Sequence, residues 1–383
     1  MKKYFYTGLF ALLIFEILNV YFIMPMPGSQ EMNSIDLAYF LHSFRWIFRI
    51  IFLGLIIIGI RSVFQGKRKW IPIVLIAIAT FIIYTFNYKM SADKMFLQPE
   101  HVTFKNKEEN KLPGDRLVIG VEINGDAKSY PVEYLTYHHQ VQDIINGTPV
   151  IVTYCSVCRT GRVFEPLVNG KEEKFRLVGM DHFNAMFEDA TTKSWWRQAT
   201  GEAITGKLKG TCLPEIVSTQ MTVDKWFDLF PNGKIMQPDI VSINIYDSLA
   251  RFEQGKNKGR LTRTDTNSWK DKSWVIGVTS GKFSKAYDWN DLKKGRIIND
   301  SIDGNGIVII LSDDDKSFAA FEKNSPDLFK LNNDNIISGK FIYDFAGKEI
   351  LSQHQPLKKL NAYQEFWHSW RTFHPNTQKY VLK

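Results

Sequence analysis

Two of the chain's three cysteines stand three positions apart, in Tyr154-Cys155-Ser156-Val157-Cys158-Arg159-Thr160-Gly161. Thiols at this spacing can hold a soft metal ion as thiolates, or cycle between dithiol and disulfide. The flanks bear on the choice. In a redox C-x-x-C the first cysteine opens a helix and gains thiolate character from the helix N-terminus. Here the apolar run Pro149–Thr153 leads in and Arg162-Val163-Phe164 leads out. Both are rich in β-branched or aromatic residues and bounded by turn signals, so they read as short strands. The thiols are expected on a tight turn between strands with both sulfurs on one side, as in a metal knuckle. A knuckle needs ligands from other elements.

Seven of the eight histidines lie beyond the apolar N-terminal segment: His101, His138, His139, His182, His354, His368 and His374. His138 and His139 are adjacent on an expected helix, Glu133 to Ile144, where neighbours diverge by about 100°. At most one of them is expected to face the thiols, and a histidine held by Asp143, four residues after His139, would be fixed in orientation. His182 follows an expected strand. Cys155, Cys158, His138, His139 and His182 are thus the candidate metal set. Two thiolates with imidazole suit zinc or copper, and a thioether from Met180 or Met186 would favour copper(I). Cys212 is a further thiol, with buried filler as the plainer reading. The cluster Ser194-Trp195-Trp196-Arg197-Gln198 suggests a pocket wall of Trp195, Arg197 and Gln198, with Arg159 from the turn. The alternative chemistry is a thiol-disulfide oxidoreductase, with Cys155 attacking and Cys158 resolving. A third reading is a non-catalytic scaffold with a structural disulfide.

The elements around the turn are written twice. Val118-Ile119-Gly120-Val121 recurs as Val275-Ile276-Gly277-Val278, 157 positions on. The same offset carries Lys128 and Tyr130 to Lys285 and Tyr287, Gly147 to Gly304, and Phe164-Glu165 to Phe321-Glu322. Trp226, Pro231 and Asn232 resemble Trp370, Pro375 and Asn376 at a shorter offset. Two tandem related units follow, 117–237 and 274–380, joined by a connector over 238–273. Each reads as strands, a short helix, a turn at Asn146-Gly147 or its counterpart, further strands and a terminal aromatic helix. The class is α+β, β-rich. At the common offset Ser312 and Asp315 stand for Cys155 and Cys158, and Gly295 and Arg296 for His138 and His139. Any thiol chemistry therefore belongs to the first unit.

Three apolar runs, Phe5 to Met24, about Leu37 to Ile60, and Trp70 to Tyr88, are each long enough to cross a hydrocarbon core of about 30 Å. Residues 1–90 read as a membrane anchor of three transmembrane helices, and 91–116 as a charged linker. Lys2, Lys3, Arg61, Lys67, Arg68 and Lys69 mark the cytoplasmic ends. The C-terminal domain should then lie outside the cytoplasm, on a multi-pass protein of the inner (cytoplasmic) membrane, with the lipid bilayer as partner. Glu16 should pair with Arg45 or Arg49, since an unpaired charge at that depth is costly. The net charge of +8 divides unevenly: nine Lys/Arg against three acids in residues 1–90, and 39 against 37 in the rest. The outer part is nearly neutral, so nucleic acid is not an expected partner. No Gly-rich phosphate loop, nucleophile elbow or H-E-x-x-H occurs.

Tyr130-Pro131, His138, Asn146-Gly147-Thr148-Pro149-Val150, Tyr154-Cys155…Cys158…Thr160-Gly161 and Ser194…Trp196…Gln198…Gly201 together resemble the bacterial family catalogued as domain of unknown function 3179. The resemblance covers about 117–237 well, the second copy weakly, and the apolar runs not at all. Ser156 and His139 stand where the family pattern has proline and an acidic residue. The resemblance implies a shared site and names no reaction.

Overall fold

The computed structural model describes residues 1–246, 249–351 and 355–382; His354 lies outside them. The chain divides into two compact units. One takes Met1–Leu97, Lys174–Arg197 and Glu202–Cys212, and the other Gln98–Glu173, Gln198–Gly201 and Leu213–Lys383. The architecture is mixed α+β and β-rich, with three apolar N-terminal helices long enough to cross a membrane.

In the first unit the apolar helices are Lys2–Tyr21, Arg45–Phe64 and Trp70–Lys89, the last closing in a π turn. Glycines let the first two approach closely. A Cβ on Gly59 would meet the Phe5 nitrogen at 2.4 Å, and one on Gly8 the Phe52 carbonyl at 2.7 Å. At depth, Arg49 Nε donates to Glu16 at 2.7 Å, and Asn87 bonds both side chains. Arg49 is therefore the partner of Glu16, while Arg45 donates to the His42 carbonyl. The second apolar run is not one helix. It breaks at Phe44 into a short helix, Ile35–Ser43, and the span proper from Arg45. The short helix lies against a sheet: Tyr39 and His42 pack edge-on to Trp195.

The sheet of this unit has the order Ala203–Thr205, Trp195–Arg197, Asn184–Asp189, Phe175–Asp181. It is tied to the end of the first helix by the Met180 N–H, which donates to the Ile23 carbonyl at 2.7 Å.

In the second unit, Leu117–Ile123 pairs antiparallel with Asp126–Pro131, and the helix Val132–His138 follows. The hairpin Gln140–Ile145 with Thr148–Cys155 comes next, and Thr160–Phe164 completes a three-stranded sheet. The expected helix to Ile144 stops at His138. Asn146 and Gly147 both have positive φ (44° and 79°), the two-residue hairpin turn, which demands a strand on each side. His139, at φ 63°, ends the helix, and Val141 and Ile145 turn inward from the strand beyond it.

A second set of strands repeats these pairings 157 positions on. Ile119 opposite Tyr130 becomes Ile276 opposite Tyr287; Gln140 opposite Thr153 becomes Ile297 opposite Ile310; Ile151 opposite Phe164 becomes Val308 opposite Phe321. The two repeated glycines have one cause. Each lies under a tryptophan of a later helix: a Cβ on Gly120 would sit 2.3 Å from the Trp226 ring, and one on Gly277 2.2 Å from the Trp370 ring. The cores correspond too, as Val132, Leu135 and Val152 in one cluster and Trp289, Leu292 and Ile309 in the other.

Candidate dithiol site

The strands Thr148–Cys155 and Thr160–Phe164 run antiparallel, with Cys155 opposite Thr160. Ser156 to Arg159 form the turn, and Arg159 takes a positive φ of 57°. Cys155 and Cys158 are both 0% exposed and carry no disulfide. Their side chains hydrogen-bond each other. Burial pushes the Cys158 thiol well above its usual range, the bond to Cys155 adds to this, and a hydrogen bond with Ser369 pulls the other way. The Cys158 sulfur is thus held as a neutral thiol unless a cation replaces its proton.

The floor of the site comes from distant segments. The Phe366 N–H donates to the Cys158 carbonyl at 2.9 Å. Lys272 Nζ donates to the Val157 carbonyl at 2.8 Å, between the two cysteines, and lies 3.1 Å from His368 Nε2. Burial lowers the Lys272 ammonium to about 8, and the nearby thiols resist that shift. Burial, with Lys272 beside it, holds His368 at about 4, so its imidazole is neutral at physiological pH. Lys272 also lines an open cleft of about 360 Å³ with Arg263, Asp265 and Trp269. Glu365 bonds Ser369 on one oxygen and Arg162 on the other. Sequence reasoning missed Lys272, Glu365, His368 and Ser369. They lie more than 100 positions from the turn, and no spacing rule links them to it.

The expected ligands distribute as follows. His138 Nε2 lies 2.5 Å from the Tyr246 hydroxyl. His139 is buried, its Nδ1 lies 3.0 Å from the Tyr137 carbonyl, and burial lowers its imidazole to about 4. Its own carbonyl accepts from the Tyr154 N–H at 2.9 Å, which ties it to the strand that ends in Cys155. Asp143 accepts from Tyr130 and Lys128, not from histidine, because it sits on a strand and not on the helix. His182 occupies a hairpin turn in the other unit, its Nδ1 2.8 Å from Asp181, which Arg197 also bonds. Burial raises the Asp181 carboxyl, but the His182 and Arg197 bonds outweigh this and leave it below its usual value. Trp195 bonds Glu188 through its ring N–H. Met180 and Met186 belong to that unit's sheet, and Cys212 is exposed there. Gln198 bonds Thr153 Oγ1 and the Thr160 carbonyl, beside the turn. Arg159 is buried: it donates to the Phe252 and Glu253 carbonyls, and its guanidinium lies 3.8 Å from the Trp274 ring centroid.

Among the described residues, no group of three or more His, Cys, Asp or Glu side chains is arranged to hold a metal ion. The counterpart turn carries a different pairing. Arg296, at the place of His139, pairs with Asp315, at the place of Cys158, at 2.8 Å. Ser312, at the place of Cys155, donates to Asp334. No curated protein and no solved structure matches the chain. A family model does match, over residues 97–377, and by it the chain belongs to the family described as Protein of unknown function (DUF3179).

Proposed function

We propose that this is a membrane-anchored protein whose outer part binds a soft metal ion, copper(I) or zinc, through Cys155 and Cys158. The observation that carries the reading is the hydrogen bond between two fully buried thiols. Two thiolates that close repel unless a proton or a cation lies between them. A soft cation can replace the protons: two S–H bonds release their protons to solvent as two S–metal bonds form. Two thiolates suffice for copper(I). His139 is the first candidate to add a nitrogen, because its carbonyl is bonded by the Tyr154 N–H of the strand that ends in Cys155. His138 and His182 are weaker candidates, the first engaged with Tyr246 and the second with Asp181. Because two protons leave, metal affinity should rise by up to about 100-fold per pH unit below the thiol pKa values. Metal analysis of the full chain, purified without oxygen, is expected to find metal in the wild type and little in Cys155→Ser or Cys158→Ser. Equal content in all three would leave the proposal without support.

The contact between the sulfurs also favours a second reading, an internal disulfide formed when an external two-electron acceptor takes two electrons and two protons. Complete burial argues against Cys155 as a nucleophile toward a protein disulfide, since exchange requires access.

The arrangement we infer along the sequence, distinct from the division into compact units, is an anchor over 1–90, a linker over 91–116, a first repeat over 117–237 carrying the thiols, a connector over 238–273 and a related second repeat over 274–380. The coincident strand registers support the duplication. The basic loop Arg61 to Lys69 supports an outward C-terminal part on the cytoplasmic membrane. A reporter fused after Met90 is expected to be active only outside the cytoplasm; activity only inside would reverse the orientation.

A further inference from the structure

The unit that holds the apolar helices contains a cavity of about 710 Å³ that plays no part in the thiol site. It opens where the three helices end on one side. Asn19, Val20 and Ile23 line it from the first, Arg45 from the start of the second, and Phe86 and Asn87 from the end of the third. Its sheet side brings Arg176, Glu188, Lys193 and Lys207. Among the described residues the lining therefore carries four cations, Arg45, Arg176, Lys193 and Lys207, against one carboxylate.

That carboxylate is engaged. Glu188 accepts from Arg176 at 2.9 Å and from the Trp195 ring N–H at 3.0 Å. Arg45 makes no ion pair among the described residues; its bond is to the His42 carbonyl. Burial, with Arg45 next in weight, lowers His42 to about 3, so its imidazole adds hydrogen bonding and no charge. A second, independent feature lies in the same wall. Asn19 is 7% exposed, and its Oδ1 has no hydrogen-bond partner. An amide's oxygen and nitrogen exchange places by a flip, so this end can offer N–H donors to a ligand in the cavity.

An excess of cations, a buried unpartnered amide and a position at the ends of the spans define one ligand chemistry. We propose that this cavity binds a phosphate-bearing anion, with Arg45 and Lys207 as its principal cations and Asn19 as a hydrogen-bonding group. The phosphate can belong to the headgroup of an anionic lipid, which lies at the level where hydrocarbon spans end, or to a small soluble ion. The inference does not depend on the thiol reading.

The test uses the full chain in detergent and native mass spectrometry, with phosphatidylglycerol, phosphatidylcholine and inorganic phosphate as probes. Wild type should hold phosphatidylglycerol in preference to phosphatidylcholine, or else be stabilised by phosphate beyond chloride at equal ionic strength. The first result assigns the site to a lipid headgroup, the second to a soluble anion. Each cation removed should weaken binding on the order of fivefold. Lys193→Gln with Lys207→Gln, both on exposed side chains, keeps the test open if Arg45→Gln fails to fold. Lys67→Gln with Lys69→Gln, remote in the loop between the second and third helices, should change nothing. Equal retention of both lipids together with no specific phosphate effect would overturn the proposal. So would cavity variants that bind as the wild type does.

Discussion

Glu365→Ala should destabilise the compact unit of Gln98–Glu173 and Leu213–Lys383 by about 3–5 kcal/mol, the largest loss expected from one substitution. Arg162 Nη2 donates to Glu365 at 3.0 Å, and the two side chains are 2% and 1% exposed. Removing the carboxylate leaves a guanidinium in the interior, over the Tyr363 ring and 3.9 Å from Glu215, which is too far to replace the bond. Ser369 loses its acceptor in the same step. Denaturant unfolding of the full chain in detergent, followed by tryptophan fluorescence, measures the effect. The pairing is checked by Arg162→Met with Glu365→Leu, which removes both charges and should lose less than the single variant. If Glu365→Ala costs under about 1 kcal/mol, Arg162 is neutralised elsewhere.

Glu253→Gln should do the opposite, by a margin that grows as pH rises from 4.5 to 7. Burial raises the Glu253 carboxyl to about 7 from 4.5, and Glu133 adds to the rise, while the Leu117 N–H, Arg116 and Arg159 oppose it. Its Oε1 has no hydrogen-bond partner among the described residues. An acid whose folded pKa is raised binds more protons folded than unfolded between those two values. Stability from this group is therefore greatest below pH 4.5, falls as pH rises to 7, and stays low above. Glutamine keeps an oxygen for the Leu117 N–H, which bonds Glu253 at 3.2 Å, and removes the titration. The variant should gain on the order of 3 kcal/mol at pH 8, less what the Arg116 attraction supplied, and little at pH 4.5. A gain that does not vary with pH would show that Glu253 is not the titrating group.

The turn itself was legible because its flanks are β-branched and its thiols sit at hairpin spacing. Val118-Ile119-Gly120-Val121 and its repeat were legible because a tryptophan demands bare backbone at Gly120 and at Gly277. The apolar helices followed from run length. What failed did so for local reasons. The apolar character of residues 133–144 reads equally as helix, and only the two-residue turn at Asn146-Gly147 forces Gln140–Ile145 into a strand. The break at Phe44 separates Tyr39 and His42, which pack on Trp195 some 150 positions away, from the span, and no pattern within the run reveals it. The floor of the thiol site was hidden in the same way. Lys272 comes from the connector and His368 from the last helix; the Phe366 N–H bonds the Cys158 carbonyl, and the Trp367 and His368 N–H groups bond the Ser273 and Asp271 carbonyls on either side of Lys272.

The proposal that Cys155 and Cys158 form a metal-binding dithiol is tested most directly by one native mass spectrum of the full chain, prepared without oxygen and titrated with copper(I) under a competing chelator. The expected result is one copper per chain, with the loss of protons that two S–metal bonds require, absent in Cys155→Ser and Cys158→Ser and weakened in His139→Ala. A wild-type chain that takes up no metal, or takes up as much as the serine variants do, would contradict it.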